Sequence, residues 1–318
     1  MKKIAIIGAG VSGLFIANLF KNNPKYQITI FEKNNLINPG ESYGIQLSVN
    51  CVKLLNEIGF DRFENEKKFN PEKIDIYSNN ISKKICELNI SDFNHNNCSY
   101  TTLNRSVLID FLKRYLEDHI KTGHSIKEIE QQDQQIKLTF ENNEIIKCDY
   151  LIISDGVFSK SKSIISNNKI KPIYNDKLAI RGTISKNIDN INSKNISLFL
   201  NSNFHHVIYP VNQNKEQNFI AIIKYKLSIE EQKNFSLFSD DSFIKNVLDK
   251  TPLNNLEILN KLKDIKIFPV FVSEDFYKPQ NKNINLIGDA FFAYPPSFAQ
   301  GASQSIEGAY ELFKSIEN

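Results

Sequence analysis

Apolar and polar positions at the start of the chain predict a strand, a helix and a second strand. Lys3 to Ile7 is a short apolar run typical of a buried strand. Val11 to Phe20 has apolar residues at helical spacing, and Tyr26 to Phe31 is rich in β-branched and aromatic residues. A strand, a turn, a helix and a strand in this order open a parallel sheet. We therefore expect an α/β protein.

Further along, the apolar pattern predicts two helices and a set of antiparallel strands. Val49 to Ile58 is expected to be helical and to end at Gly59. Asn104 is expected to cap a second helix. Its apolar face would hold Leu108, Phe111, Leu112, Tyr115 and Leu116. Residues 125–151 alternate as antiparallel strands do, and Tyr150 to Ser154 is a buried-type strand that ends at Asp155-Gly156.

Residues from about 171 to 268 read as a sheet-rich insertion. The runs predicted as strands are Leu178–Ile184, Ile196–Leu200, His205–Val211 and Asn218–Tyr225, with one helix near Ser242–Leu248. The chain then returns to a strand at Asn283–Ile287 and closes with a helix from Gln300 to Ile316. This order of elements predicts two domains that are interleaved along the chain.

The amino-acid composition indicates a globular enzyme but does not indicate which reaction it catalyses. The chain has 318 residues, of which 41% are hydrophobic and 24% charged, which is ordinary for a globular enzyme. The net charge of +3 is weak and the charged residues are scattered, so nucleic acid is not an expected partner. No run approaches the roughly 18 apolar residues of a membrane span. Glycines break the apolar run at the N-terminus, which argues against a signal peptide and favours a cytoplasmic location.

Four cysteines are present and none suggests a metal site or a disulfide framework. Cys51, Cys86, Cys98 and Cys148 include no pair at a metal-type spacing. We therefore expect reduced thiols and no bound metal.

The first chemical motif is Gly8-Ala9-Gly10-Val11-Ser12-Gly13, which lies between the first strand and the first helix. Gly8 allows the tight turn, Gly10 lets a pyrophosphate approach the backbone, and Gly13 lets helix and strand pack closely. Glu32 follows the second strand, 19 positions after Gly13, and would bind ribose hydroxyls. This spacing predicts a dinucleotide site, but it does not separate NAD from FAD.

Two further motifs end strands at turns. Gly288-Asp289 follows the predicted strand at 283–287, where its carboxylate can reach sugar hydroxyls. The helix that opens at Gly301 offers free N–H groups and the positive end of its dipole to an anion. Asp155-Gly156 by itself indicates only a turn.

Together these motifs resemble the single-component FAD-dependent aromatic hydroxylases, the group typified by para-hydroxybenzoate hydroxylase. The salicylate and 3-hydroxybenzoate hydroxylase branch looks nearest. The motifs occur in the family's order, from Gly8–Gly13 through Arg105 and Asp155-Gly156 to Gly288-Asp289. The resemblance implies a Rossmann-like FAD-binding domain interleaved with a sheet-rich substrate domain. The former would comprise residues 1–70, 97–170 and 269–318, and the latter 71–96 and 171–268.

The resemblance also implies cofactors and site residues. FAD would be the cofactor, and NAD(P)H would visit it transiently, since no second G-x-G-x-x-G exists. The expected FAD-binding residues are Gly8, Gly10, Val11, Ser12, Gly13, Glu32, Lys33, Arg105, Asp155, Gly156, Gly288, Asp289, Gly301 and Ala302. The expected catalytic residues are His205 and Tyr209, which face the same side of a strand, and the expected pocket residues are Arg181, Phe292, Tyr294 and Pro295.

The function implied is hydroxylation of a small, aromatic substrate with O2, by a monomer or homodimer. Three departures from the family pattern leave alternatives open. Lys162 replaces an arginine, Phe291 and Phe292 occupy a segment that usually carries a histidine, and the sequence stops at Asn318, where the family usually continues well past the last helix. An oxygenase acting on an apolar substrate, or a flavin-binding protein without oxygenase turnover, would also fit.

Overall fold

The computed structural model of the chain describes its residues with short gaps. The described residues exclude 38–42, 79–82, 133–134, 185–187, 215, 251–256, 274, 276 and 297–298. The helices are α1 (Val11–Phe20), α2 (Val49–Asn56), α3 (Arg105–Lys113), α4 (Lys160–Ile165), α5 (Ile229–Lys233), α6 (Asp241–Asp249) and α7 (Gly301–Glu317). The first ten strands are β1 (Lys2–Ile7), β2 (Tyr26–Phe31), β3 (Gly44–Leu47), β4 (Lys68–Phe69), β5 (Lys73–Tyr77), β6 (Lys84–Asn89), β7 (Thr101–Asn104), β8 (Ile120–Lys121), β9 (Ile126–Gln132) and β10 (Gln135–Phe140). The others are β11 (Ile145–Cys148), β12 (Tyr150–Ile153), β13 (Ile173–Ile184), β14 (Ile196–Leu200), β15 (Phe204–Pro210), β16 (Gln217–Lys224), β17 (Leu262–Val272) and β18 (Ile284–Leu286).

A five-stranded parallel sheet holds the first motif. Its order is β18, β12, β1, β2 and β8, and every neighbouring pair is parallel. The apolar residues of β1 are buried because α1, α3 and α7 cover one face and the small sheet β9–β11 covers the other. The carboxyl ends of β1, β12 and β18 therefore lie side by side, which is the edge at which open α/β sheets bind ligands.

A seven-stranded sheet forms the second large unit. Its order is β17, β13, β16, β15, β14, β5 and β6, and only the pair β14 and β5 is parallel. One face packs against α6 and the short 3-10 helix Phe235–Ser239 in a core that contains Ile180, Phe199 and Phe219. The opposite face turns toward β3, where the backbone N–H of Gly44 donates to Oδ1 of Asn218 at 2.6 Å. That contact joins the two units.

The expected mixed α/β fold is confirmed, and several details differ from the sequence predictions. Asn104 precedes α3, but its side chain makes no capping hydrogen bond. Tyr115 lies beyond the end of α3 and is exposed, so it is not part of the apolar face. The division into two domains stays a prediction; its boundary at 268 falls inside β17, which continues to Val272.

No helix in the described part of the chain is long and apolar enough to cross a membrane. The four cysteines are free, and Cys86 alone among them is exposed.

His206 is a buried neutral residue of the seven-stranded sheet. Its ring stacks on Phe199 with centroids 4.4 Å apart and lies 5.7 Å from the ring of Phe219. Nδ1 is buried and has no hydrogen-bond partner among the described residues. Burial, and then the charge of His205, lower the pKa of His206 to about 3.

This low pKa predicts a loss of stability in acid. The unfolded chain binds a proton at His206 below about pH 6.5, whereas the folded chain does not, so the free energy of unfolding falls as the pH drops. Between pH 7 and pH 5 the loss is about 2 kcal/mol. Urea unfolding at both pH values should show that His206→Phe removes this loss. The exposed His95, changed to Asn, is the matched control, and an unchanged pH dependence in His206→Phe would contradict the assignment.

Candidate functional site

The turn between β1 and α1 is pressed against the end of β12. Gly8 has a φ of +101°, and a Cβ there would lie 2.6 Å from the carbonyl oxygen of Ser154. A Cβ on Gly13 would lie 2.2 Å from the carbonyl oxygen of Gly8. Oγ of Ser154 donates to the carbonyl oxygen of Ile7 at 2.8 Å. Glycine is required at both positions because strand, turn and helix approach this closely.

A cavity of about 530 Å³ opens beside this turn. It brings together seven of the expected cofactor residues, namely Gly8, Gly10, Glu32, Lys33, Arg105, Asp155 and Gly156. These residues come from separate parts of the chain, and the parallel sheet places them at one edge. Val11, Ser12 and Gly13 form the first turn of α1, directly after Gly10, and do not line the cavity themselves.

Glu32 is held at the cavity wall by backbone groups. Oε2 accepts from the N–H of Ala9 at 3.0 Å, and Oε1 accepts from the N–H of Asn34 at 3.0 Å. A carboxylate has about four acceptor positions, so lone pairs remain for hydroxyl donors of a ligand. The carboxylate is therefore oriented before any ligand arrives.

Only one of the two carboxylate oxygens of Asp155 accepts a hydrogen bond from the described residues. Oδ2 accepts from the N–H of Ser161, at the start of α4, at 3.0 Å. Oδ1 is buried and has no hydrogen-bond partner in the described part of the chain. A buried carboxylate oxygen without a partner is costly unless a ligand or water supplies a donor.

Gly288 and Asp289 lie next to the first motif. Gly288 has a φ of +59°, and a Cβ there would lie 2.6 Å from Oγ of Ser12. The Asp289 side chain keeps contact with solvent, although protein atoms surround it densely. Crowding raises the pKa of Asp289, and the positive charges of Arg105 and Lys162 oppose that rise.

Lys162 occupies the position at which the family pattern has an arginine. It is buried in α4, and burial lowers its pKa, while Asp155 and Asp289 act in the opposite direction. The cation thus faces the carboxylates of both strand-end motifs. Lysine supplies the same charge as arginine but lacks its planar, two-pronged donor geometry.

The start of α7 presents backbone donors. The residue before the helix, Gln300, makes no side-chain capping bond, so the first N–H groups, from Gly301 and Ala302 onward, are available to an anion. Ala299 has a φ of +53°, an uncommon conformation for a residue with a side chain. Residues 297–298 of this predicted loop lie outside the described residues.

His205 and Tyr209 share a face of β15, as predicted, but they do not lie together. Four residues of strand separate their Cα atoms by about 13 Å. His205 is half-buried, and burial together with the charge of Lys177 lowers its pKa. Tyr209 is fully buried against Gly44, and burial raises its pKa.

Arg181 and the predicted pocket loop are held by separate contacts. The Arg181 guanidinium lies 4.1 Å from the ring centroid of Tyr43, and Nη1 donates to the carbonyl oxygen of Gly44. The loop carrying Phe292, Tyr294 and Pro295 is tied to the end of β17, because the N–H of Ala293 donates to Oγ of Ser273 at 3.0 Å.

Phe291, which with Phe292 occupies the segment that usually carries a histidine, is 42% exposed. The rings of Phe292 and Tyr294 contact each other at 4.8 Å between centroids.

Comparison with known proteins decides the family. A family model described as an FAD-binding domain matches residues 1–317. The chain belongs to this family. It is an FAD-dependent monooxygenase of the aromatic-hydroxylase type. The recognition made from the motifs, the fold class and the FAD cofactor are therefore confirmed.

Individual relatives are distant in sequence. Salicylate hydroxylase from Pseudomonas putida is 21% identical over 98% of this chain and 75% of its own length. Klebsiella pneumoniae HpxO, solved with FAD and uric acid, has a TM-score of 0.79 at 16% identity, with 100% of this chain and 80% of that chain covered. The 2,6-dihydroxypyridine-3-hydroxylase from Arthrobacter nicotinovorans has a TM-score of 0.77 at 15% identity over 98% of this chain and 83% of its own.

The residues of this flavoprotein fit FAD. A cradle that any Cβ at Gly8 would fill, a carboxylate oriented at Glu32 and an unpartnered oxygen on Asp155 all meet at one cavity in the described part of the chain. Glu32 and Asp155 would accept from cofactor hydroxyls or bound water, and the N–H groups beside Gly10 would donate to phosphate.

Sequence reasoning missed part of the cavity wall. His124, Ser125, Ile126 and Phe158 also line it. The ring of His124 lies 5.5 Å from that of Phe31, and its Nε2 is 2.8 Å from Oε2 of Glu144. These residues follow no motif, and only Phe158 could have been suspected, from its place next to Asp155-Gly156.

The position of Asp289 predicts a role in holding FAD. Asp289→Ala removes a hydrogen-bond acceptor with a charge, a change that costs about ten- to a hundredfold in affinity. Asp110→Ala, on the exposed side of α3, is the matched control. Flavin absorbance after gel filtration should fall in the first variant alone. Equal flavin retention in both would rule out the assignment.

Proposed function

We propose that this monooxygenase uses NAD(P)H and O2 to hydroxylate a small aromatic substrate that lies on the open face of the seven-stranded sheet. We place it in the cytoplasm, as a monomer or homodimer. When bound, FAD supplies the redox chemistry, since it accepts electrons from the nicotinamide and activates O2. The protein's own contribution is binding, orientation, exclusion of water and the movement of one proton.

The observation that carries this proposal is the character of the sheet face. Val207, Ile220, Phe268 and Val272 are half-buried on it, whereas the opposite face is closed by its core. A half-open apolar surface next to the FAD unit suits a flat ring, with few polar groups to orient it. Salicylate and uric acid, named for two of the similar proteins, are small planar molecules.

Two polar side chains on the same face supply the orienting groups. Cross-strand register puts His205 opposite Ile222, and Arg181 opposite Ile220. Arg181 is a cation of this face and would attract an anionic or phenolate substrate. It is fixed by Tyr43 and by the carbonyl oxygen of Gly44, so its guanidinium is already ordered.

His205 is suited to accept a proton from a phenol. A base must be neutral to act, and the lowered pKa of His205 keeps its imidazole neutral at pH 7. We propose that Nε2 or Nδ1 takes the phenolic proton, which raises the electron density of the ring before oxygen transfer. Tyr209 has a raised pKa and would orient a partner as a hydroxyl donor or acceptor instead of acting as a base.

Oxygen-isotope labelling tests the proposed reaction. The FAD-loaded enzyme, given NADH or NADPH under ¹⁸O₂, should oxidise the nucleotide faster when a hydroxybenzoate or another phenol is added. Mass spectrometry should find one ¹⁸O atom in the product. Stimulation by an apolar alkene alone would favour the oxygenase of apolar substrates, and flavin that neither nucleotide reduces would contradict turnover altogether.

His205→Asn tests the proposed base. General base catalysis contributes typically about 10²–10⁴-fold, so hydroxylation should slow by at least the lower value while FAD absorbance is retained. His119→Asn, outside the sheet, is the matched histidine control. A His205→Asn enzyme that hydroxylates the phenol at the original rate would show that this residue is not the base.

A further inference from the structure

Three phenylalanines from distant parts of the chain meet at the rim of the FAD cavity. We call Phe158, Phe235 and Phe271 the aromatic platform. Phe158 follows Asp155-Gly156, Phe235 begins a short 3-10 helix, and Phe271 belongs to β17. Ring centroids are 5.2 Å apart for Phe158 and Phe235, and 4.9 Å apart for Phe158 and Phe271.

Two of the three rings in the aromatic platform are about half exposed to solvent. Phe158 is 48% exposed and Phe235 is 52% exposed, although their edges contact each other. Phe158 also lines the FAD cavity, together with Lys160. An exposed aromatic pair that adjoins a nucleotide cavity is well placed to stack on another planar ring.

The charges near the platform suit an anionic ligand. Lys160 and Lys233 lie two residues from Phe158 and Phe235, and both are exposed. Lys160 forms an ion pair with Glu141 at the surface. Because exposed ion pairs contribute little to stability, Lys160 can leave Glu141 for a ligand phosphate at a small cost in free energy. On α5, Glu231 already accepts from the N–H of Ser228 at 2.7 Å.

We propose that the aromatic platform binds the adenine ring of NAD(P)H while the nicotinamide reaches the flavin. This inference rests on the proposed use of a nicotinamide nucleotide. The chain has a single G-x-G-x-x-G, which would hold FAD, so a second dinucleotide has no such motif of its own to bind. The nicotinamide must lie at the flavin ring to transfer hydride, which leaves the adenine half of the molecule for an outer surface such as this one.

The chain contains no tryptophan, which makes a direct test available. In the FAD-loaded Phe235→Trp enzyme the new indole is the only one, and stacking of adenine should quench its fluorescence. ADP-ribose, which lacks nicotinamide, should quench it saturably. Phe93→Trp is the matched control, because Phe93 is 62% exposed and lies near the edge strand β6, away from the cavity. Its fluorescence should not respond.

Kinetics of Phe235→Ala complete the test. Loss of one stacking ring should raise the KM for NADH or NADPH about tenfold, with kcat and FAD content unchanged within about twofold, and Phe235→Tyr should restore the KM. If ADP-ribose leaves the indole of the Phe235→Trp enzyme unquenched while that enzyme still oxidises the nucleotide, the platform is not the adenine site. If ADP-ribose quenches but neither nucleotide reduces the flavin, the adenine site stands and the proposed reaction fails.

Discussion

Gly8 and Gly13 let the turn between β1 and α1 lie against Ser154, at the end of β12. The rest of the site depends on this close contact between turn and strand. Any Cβ at either position would overlap backbone oxygen. This close contact fixes the position of the start of α1 relative to β12. It therefore fixes the distance between the N–H groups near Gly10 and the carboxylate of Asp155. The distance between these groups leaves room for a dinucleotide, since β1, β12 and α1 are rigid elements.

Residues far apart in sequence reach this edge because the sheet is parallel. Strands β1, β12 and β18 end together, so Gly8, Asp155 and Gly288 become neighbours across 280 positions. The seven-stranded sheet is added through a second close contact, at Gly44, where a Cβ would lie 2.7 Å from the Asn218 side chain. Close approach at glycines thus holds the first unit together at Gly8 and Gly13, and at Gly44 it joins that unit to the seven-stranded sheet.

The pattern of apolar and polar residues predicted the helices and strands well where their periodicity is strong. The bounds of α1 and β2 match the structure, since their apolar periods and flanking turns are strong. The predictions of a capping role for Asn104 and of packing for Tyr115 were wrong, because the Asn104 side chain makes no capping bond and α3 ends at Lys113, before Tyr115. His205 and Tyr209 were placed on one face correctly, but strand periodicity says nothing about what covers that face. Burial of Tyr209 and the cavity wall at His124 depend on segments that meet only in three dimensions.

The central claim is that the adenosine half of FAD fills the cavity between Gly10, Glu32 and Asp155. Calorimetric titration of the apoprotein with FAD and with FMN tests it most directly, because FMN shares the flavin ring and lacks the adenosine half. If the claim holds, FAD binds at least about a hundredfold more tightly than FMN, a difference of about 2.7 kcal/mol. Equal affinity for the two flavins would contradict it.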